Sequence, residues 1–461
     1  MPNQDLTITA TFKGQKKFFA DGKTLALAVR KTQLKKLKEI LQANEERLYE
    51  AIYADFCKST FDTYTTEIAI LYQEIDEAIS NLTKWAKTKK VTTNWVNFPA
   101  KSFVMKEPLG VTLIIGAWNY PYQLLLAPAV AAIAAGCSAV LKPSELSSAT
   151  SALMSELINQ HFDPGLLRVI EGGVTETTEL LTLSWNKIFF TGSVRVGRIV
   201  YAAAAKNLVP VTLELGGKSP AVITEDCNLN MTVKRLVWAK YLNAGQTCIA
   251  PDYVMVHKNI AEAFIDAMRS EISKECFSIE NGNYVQIINN HNLSRLSALI
   301  EPEQVAIGGR VDEKDRVIEP TVLYPSSFQS KAMQEEIFGP ILPVIVYNQL
   351  ETVIDQINEG PKPLAAYIFT SNSSTRDYFL NKVPFGGGAV NDAVMHISNS
   401  ALPFGGVGNS GIGAYRGKAG FDCFSHAKSV LQKSTLIELN LKYYPHTPGK
   451  LNWIRRILKL S

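Results

Sequence analysis

Several residues in this 461-residue chain stand where their types could do chemistry. Cys248 lies in Asn243-Ala-Gly-Gln-Thr-Cys248. A thiolate is a strong nucleophile, and the Gly-Gln-Thr context predicts a tight turn that exposes the sulfur and aims backbone N–H groups beside it. The plainer alternative is an inert, small apolar side chain. Glu214 sits between two leucines in Leu213-Glu214-Leu215-Gly216-Gly217. Burying a carboxylate there is costly unless it has a task or a partner; a salt-bridged structural Glu is the alternative. Asn119 follows an apolar run within an aromatic turn, where it could donate from its amide or simply cap the turn. Lys142 and Glu145 close another apolar run, as a ligand-binding pair or as a surface ion pair. In Phe189-Phe190-Thr191-Gly192-Ser193-Val-Arg-Val-Gly197, a strand end opens into a helix. Backbone N–H groups at such a helix start favour an anion. Gly192 would allow close approach and Gly197 close packing, although an ordinary strand-to-helix turn would look the same.

Other motifs fail. Gly217-Lys218-Ser219 resembles the end of a P-loop, but Thr212 stands where the earlier glycine is required. Gly406-Val-Gly408-Asn-Ser-Gly411 spells GxGxxG, yet Leu402-Pro403-Phe404 precedes it in place of a strand, so we read it as a glycine-rich loop. There is no GxSxG and no HExxH, and the six His are dispersed, so neither a serine hydrolase nor a metal site is expected.

Placing the candidates needs elements, and strand and helix patterns alternate from residue 111 onward. Strands are expected at 111–115, 138–142, 166–170, 187–191 and 209–215, with helices between them. Alternation of this kind means βαβ units and a parallel sheet. A second α/β region follows Gly216-Gly217, with strands at 221–224, 253–257, 342–347, 365–370 and 388–391. Residues 24–57 read as two amphipathic helices and 67–86 as another. Residues 87–106 suggest an exposed hairpin or arm. Asn119, Lys142, Gly192 and Glu214 then all fall at the C-terminal ends of parallel strands, where open α/β sheets bind ligands.

Composition sets the remaining bounds. Hydrophobic residues make up 46% and charged residues 20%, which excludes a disordered chain. The net charge of +4 is spread along the length, so no nucleic-acid stripe is expected. Six cysteines without CxxC spacing, and no signal-like start, point to free thiols in a reducing, cytoplasmic setting. The charge-free run 108–141 is long enough for a membrane span. Gly116, Asn119, Tyr120, Pro121 and Gln123 interrupt it, and strand, turn and buried helix fit it better. The basic tail 451–460 reads as a short amphipathic helix that docks on a partner subunit, with a membrane surface as the alternative.

The ordered stretches PLGVTLIIGAWNYP (108–121), LKPSE (141–145), FFTGSVRVG (189–197), LELGGKSP (213–220), NAGQTC (243–248), EEIFGP (335–340) and LPFGGVGNSGIGAYRGKAGFDCFSH (402–426) resemble the NAD(P)-dependent aldehyde dehydrogenase family over about residues 20 to 445. The early position of Trp118-Asn119 and the GNSGIGAYRGK run resemble its class 3 branch. The resemblance implies a Rossmann-like cofactor domain, a second α/β catalytic domain and a small oligomerisation arm and tail. We divide the chain accordingly into 1–86 with 108–214 for the dinucleotide, 215–422 for catalysis, and 87–107 with 423–461 as arm and tail. It also implies a homodimer and medium-chain aliphatic or aromatic aldehydes as substrates. Some members of the branch carry a membrane-spanning tail, and this sequence ends at Ser461 without one.

On these positions the resemblance makes Cys248 the nucleophile and Glu214 the general base. Asn119 and the Cys248 N–H become the oxyanion hole. Lys142 and Glu145 would hold the adenosine ribose, and Gly192, Ser193 and Gly197 would border the pyrophosphate. Glu336 and Phe338 would position the nicotinamide ribose and ring, with Trp118 beside the cofactor. Such chemistry calls for a thiol pKa lowered from about 8.5. Glu145 favours NAD by repelling a 2′-phosphate, while Lys142 leaves NADP open. A CoA-acylating enzyme would not need Glu214. A silent binding protein on the same fold would have lost Cys248, Glu214 or Asn119.

Overall fold

The computed structural model describes residues 7–459. Met1–Leu6, read above for a signal sequence, and the end of the basic tail at Leu460 lie outside that range.

Two sheets carry the architecture. In the first, Leu167–Val169, Ser138–Lys142, Val111–Ile115, Lys187–Thr191 and Val211–Glu214 lie side by side, all parallel. In sequence order this is 3-2-1-4-5, the doubly wound pattern, and its order reverses between Val111–Ile115 and Lys187–Thr191. Every residue of the Val111–Ile115, Ser138–Lys142 and Lys187–Thr191 strands is buried, as expected for a parallel sheet covered on both faces. The short strand Gly411–Ile412, which begins at the last glycine of the GxGxxG segment, returns to pair antiparallel with Val211–Glu214 and edges this sheet.

The second sheet has seven strands, ordered Val305–Ile307, Thr321–Leu323, Ile341–Tyr347, Tyr253–His257, Pro220–Ile223, Ala365–Phe369 and Gly387–Val390. Only the first of these is antiparallel to its neighbour. Its first two strands are three residues each, too short for the periodicity that located the other five. A third sheet joins Lys89–Val91, Ala100–Pro108 and Ser425–Lys433 in antiparallel fashion, which makes the expected arm a three-stranded ribbon. The C-terminal helix Pro448–Lys459 approaches the turn Trp95–Asn97 of this arm.

The charge-free run resolves as strand, turn, helix and strand. Its helix, Pro121–Ala135, is buried at all fifteen positions, which is why it is apolar on every side. Pro121 starts it at a position that needs no N–H. Gly136 ends it with a left-handed φ of +94°, and a Cβ there would lie 2.6 Å from the Arg30 guanidinium carbon. Arg30 in turn donates to the Ala134 carbonyl at 3.2 Å and to Thr24 and Leu25 at 2.9 Å. Among the described residues, no helix is long and apolar enough to cross a membrane, and all six cysteines are free.

An additional N-terminal helix, Ile8–Ala20, packs on the first sheet. Its buried face includes Thr11 and Gln15, and Gln15 Nε2 donates to the Ala139 carbonyl at 2.9 Å. Across the molecule, Arg416 and Glu74 form a buried ion pair that ties the segment after the glycine-rich loop to the helix Ala69–Trp85. The Gly417 N–H also donates to Glu74, at 3.1 Å. Removing one member of such a pair strands a buried charge. Glu74→Ala should therefore cost about 3–5 kcal/mol. Urea unfolding checks this, and replacing both residues by apolar ones of similar volume should recover most of the loss.

Candidate active site

The loops at the carboxyl ends of the first sheet meet the loops of the second region in a cleft of about 230 Å³. Trp118, Asn119, Gly192, Ser193, Glu214, Cys248, Glu336 and Phe338 all line it. Asn119 follows the strand Val111–Ile115 and Gly192 follows Lys187–Thr191, the two strands that flank the switch point. Lys142, Glu145 and Gly197 do not line this cleft. Lys142 is the last residue of its strand and is buried; its Nζ donates to the Pro143 carbonyl at 2.6 Å and lies 3.8 Å from the exposed Glu145. Gly197 is buried in the helix Val194–Ala205, where a Cβ would meet Leu215 Cδ2 at 2.6 Å.

Cys248 ends a strained turn. Asn243, Ala244 and Gly245 are all left-handed, with φ of 56°, 51° and 70°. Two of these are not glycine, a conformation that persists only when neighbours enforce it. Here the enforcement is a set of hydrogen bonds. Asn119 Nδ2 donates to the Gln246 carbonyl at 3.0 Å, and Asn243 Nδ2 donates to the Asn119 carbonyl at 3.1 Å. The Gln246 side chain donates to the Asn243 and Gln286 carbonyls at 3.1 and 3.0 Å and accepts from the Ile288 N–H at 3.1 Å. One Asn119 amide hydrogen is thereby committed and orients the group, while the second remains available to the cleft.

Glu214 is the last residue of its strand, buried, and neither carboxylate oxygen has a hydrogen-bond partner. Burial alone pushes its pKa well up. The edging strand from the glycine-rich loop closes over it, with Gly411 opposite Glu214 and Leu215 N–H donating to the Ser410 carbonyl at 3.1 Å. Glu336 and Phe338 come from the far side on a loop that several groups hold. Asp252 accepts from the Ile337 N–H at 2.9 Å, Arg295 donates to the Ile337 carbonyl at 2.7 Å, and Lys218 donates to the Glu335 carbonyl at 2.9 Å. Lys218, the end of the failed P-loop match, is thus a tether for this loop and pairs with Asp252. Phe338 has φ of 50° and packs edge-on to Trp118, with ring centroids 5.5 Å apart. Gly216 lets the loop approach, since a Cβ there would lie 2.0 Å from Glu336 Oε2.

Comparison with known proteins now adds to this geometry. The family model for the aldehyde dehydrogenase family matches residues 5–430. The chain belongs to the aldehyde dehydrogenase family. It is 44% identical to the 4,4'-diaponeurosporen-aldehyde dehydrogenase of Staphylococcus aureus, across 98% of this chain and 99% of that one. It is 42% identical to aldehyde dehydrogenase family 3 member A2 of Macaca fascicularis, across 94% and 90%, which agrees with the class 3 resemblance. A solved structure, the substrate-bound state of Staphylococcus aureus AldH, superposes with a TM-score of 0.95 at 43% identity, across 98% of this chain and 99% of that one. This aldehyde dehydrogenase is therefore an NAD(P)-dependent oxidoreductase that converts aldehydes to carboxylic acids.

Sequence reasoning about this aldehyde dehydrogenase did not single out Asn292, Arg295 or Phe404, which also line the cleft. Asn292 and Arg295 lie on the helix Asn290–Ser297 and carry no local motif. The expected lowering of the Cys248 pKa is also not what the protein produces. Burial, then the charges of Glu336 and Glu214, push the thiol up to about 12. Burial likewise raises Glu336 to about 8. Glu214 and Glu336 both line the cleft with Cys248, and both act to raise the thiol. Without added cofactor, alkylation of Cys248 by iodoacetamide should rise about tenfold per pH unit from pH 7 to 9, because only the thiolate reacts. A plateau below pH 8, measured by mass spectrometry of the Cys248 peptide, would contradict this environment.

Proposed function

We propose that Cys248 is the nucleophile of this aldehyde dehydrogenase, Glu214 its general base, and Asn119 with the Cys248 N–H its oxyanion hole. The observation that carries the reading is the convergence of these three residues on one cleft from two different sheets. The Cys248 thiolate attacks the aldehyde carbon. The resulting oxyanion accepts hydrogen bonds from Asn119 Nδ2 and the Cys248 N–H. Losing one such donor typically costs about 100- to 1,000-fold in rate. Return of the oxyanion to a carbonyl expels the former aldehyde hydrogen with its electron pair and leaves a thioester on Cys248. Glu214 then takes a proton from water as the water attacks the thioester carbon, the C–S bond breaks with Cys248 leaving as the thiolate, and the carboxylic acid is released. A carboxyl held high by burial suits that work, because its conjugate base is strong.

Bound NAD(P) supplies the acceptor for the departing hydride. The residues present fit such a group. The helix Val194–Ala205 opens at Gly192 and Ser193 onto the cleft, with Ser193 as its capping residue, and favours a diphosphate. Glu336 offers a carboxyl for ribose hydroxyls, and Trp118 and Phe338 frame an aromatic ring. Gly197 supports the diphosphate site from behind by admitting Leu215. Lys142 ends the strand Ser138–Lys142, two strands across the sheet from Lys187–Thr191, and Glu145 follows it; there we assign the adenosine ribose. Exposed Glu145 favours NAD over NADP, with NADP admitted through Lys142; a relative from Rattus norvegicus, 41% identical, is named as dimeric and NADP-preferring.

Trp118, Leu124, Leu215, Phe338 and Phe404 make the cleft wall largely apolar. We therefore assign apolar substrates, medium-chain aliphatic or aromatic aldehydes. We also assign a homodimer through the arm ribbon and the C-terminal helix, on which Leu451, Trp453 and Leu458 are exposed. The free cysteines suit a cytoplasmic setting. The cofactor, catalytic and arm divisions of the chain given above are part of the same reading, which the three larger sheets support apart from Gly411–Ile412, a segment of the catalytic range that edges the first sheet.

Cys248→Ala should form no reduced cofactor from any aldehyde. Glu214→Gln should release about one equivalent of reduced cofactor per site and then stall at the thioester. Stopped-flow absorbance at the reduced-nicotinamide band reads both, and full steady-state turnover by Glu214→Gln would remove the base assignment. Glu145→Gln should shift the NADP-to-NAD ratio of kcat/KM upward several-fold, and an unchanged ratio would show that Glu145 does not meet the adenosine ribose.

A further inference from the structure

Lys58 and Glu67 form an ion pair at 2.9 Å with both side chains wholly inaccessible to solvent. Neither lines the catalytic cleft. A buried pair of this kind is a poor device for stability, since apolar residues would serve as well. Its surroundings suggest a different use. The second Glu67 oxygen accepts from the Tyr122 N–H at 2.8 Å and the Gln123 N–H at 3.3 Å. Those are first-turn N–H groups of the helix Pro121–Ala135, which begins two residues after Asn119. Glu67 therefore pins that helix start with a full charge placed at its positive end. The Lys58 ammonium lies 4.2 Å from the centroid of the Tyr120 ring. The Tyr120 hydroxyl shares a 2.6 Å hydrogen bond with Thr247 Oγ1, one residue before Cys248.

A second path closes the circuit. The Phe56 carbonyl, two residues before Lys58, accepts from the Gln286 N–H at 3.0 Å. The Gln286 carbonyl accepts from Gln246 Nε2 at 3.0 Å, and the Gln246 carbonyl accepts from Asn119 Nδ2 at 3.0 Å. The local backbone is built for this placement. Cys57 is left-handed, with φ of 59°, and a π-helical turn over Tyr64–Ile68 carries Glu67. Such turns are rare and are frequent at functional sites.

We propose that Lys58 and Glu67 are positioning residues that hold the Asn119–Tyr120 turn and the Thr247–Cys248 segment at the separation the thioester chemistry requires. The proposal rests on the roles assigned above to Cys248 and Asn119. Neither residue touches the substrate. They act through the helix start and through the Tyr120–Thr247 hydrogen bond. Slackening that strut lets the oxyanion donor drift from the sulfur, and a displacement of about 1 Å at a reacting centre costs on the order of 100-fold in rate.

The test compares Lys58→Met/Glu67→Gln, which removes both charges of the pair together and keeps an acceptor for the helix N–H groups, with Tyr120→Phe, which removes only the hydroxyl. Each should lower kcat by about 10- to 100-fold, with the cofactor Kd from fluorescence titration within about twofold of the parent. Combined in one chain, the three substitutions should lose little more than the larger single effect, because they slacken one strut. Full kcat in a folded Lys58→Met/Glu67→Gln would overturn the proposal. So would losses that multiply, or a parallel loss of kcat, cofactor affinity and thermal stability, which marks a merely structural pair. If the double variant does not fold, Lys58→Arg/Glu67→Asp keeps the charges while shifting their reach; it should show the same kcat loss, and full kcat there would overturn the proposal. Cys248→Ala runs beside them. Activity retained in Cys248→Ala would fault the nucleophile assignment itself, whereas an inactive Cys248→Ala beside a full-rate Lys58→Met/Glu67→Gln faults only the positioning role.

Discussion

Asn119 Nδ2 donates to the Gln246 carbonyl while Asn243 Nδ2 donates to the Asn119 carbonyl, and these two contacts join the halves of the site. Asn119 lies in the loop after a strand of the first sheet, and the Gln246 segment lies in the second region. Each half alone is an ordinary α/β unit with loops at its strand ends. The cleft exists because those loops are clamped at this point. The left-handed run Asn243–Gly245 depends on the same clamp, since a non-glycine residue with positive φ must be over-determined by its neighbours.

The electrostatics of the cleft follow from how it is enclosed. Burial raises the pKa of the Cys248 thiol and that of the unpartnered Glu214 carboxyl. Enclosure therefore favours the neutral form of both groups. A positive charge brought into the cleft near the sulfur would act in the opposite direction, because an opposite charge nearby favours the ionised form.

Much of this was legible in one dimension. The strands Val111–Ile115, Ser138–Lys142 and Lys187–Thr191 announce themselves as continuous apolar runs because a parallel sheet is buried on both faces. Glu214 and Asn119 stand out because polar residues at the ends of such runs need a reason to be there. The helix Ile8–Ala20 was not legible, because Thr11 and Gln15 take buried positions that an apolar stripe would fill, and Gln15 is satisfied only by a carbonyl far away in sequence. The short strands Val305–Ile307 and Thr321–Leu323 are below the length at which periodicity speaks. The nine-residue strand Ser425–Lys433 faces solvent along much of its length, so it reads as tail until its partner Ala100–Pro108 is known.

By itself, the amino-acid sequence determined the fold class, the family and the identity of the residues at the parallel strand ends. Those are properties of local pattern, and local pattern is written in order along the chain. Tertiary structure alone decided the rest. It showed that Lys218 tethers the Glu336 loop, that Gly216 yields space to Glu336, and that Glu67 accepts from the start of a helix more than fifty residues away. It also reversed the expected direction of the Cys248 pKa. The reason is physical: burial and through-space charge depend on which distant segments close over a residue, and spacing along a chain carries no record of that.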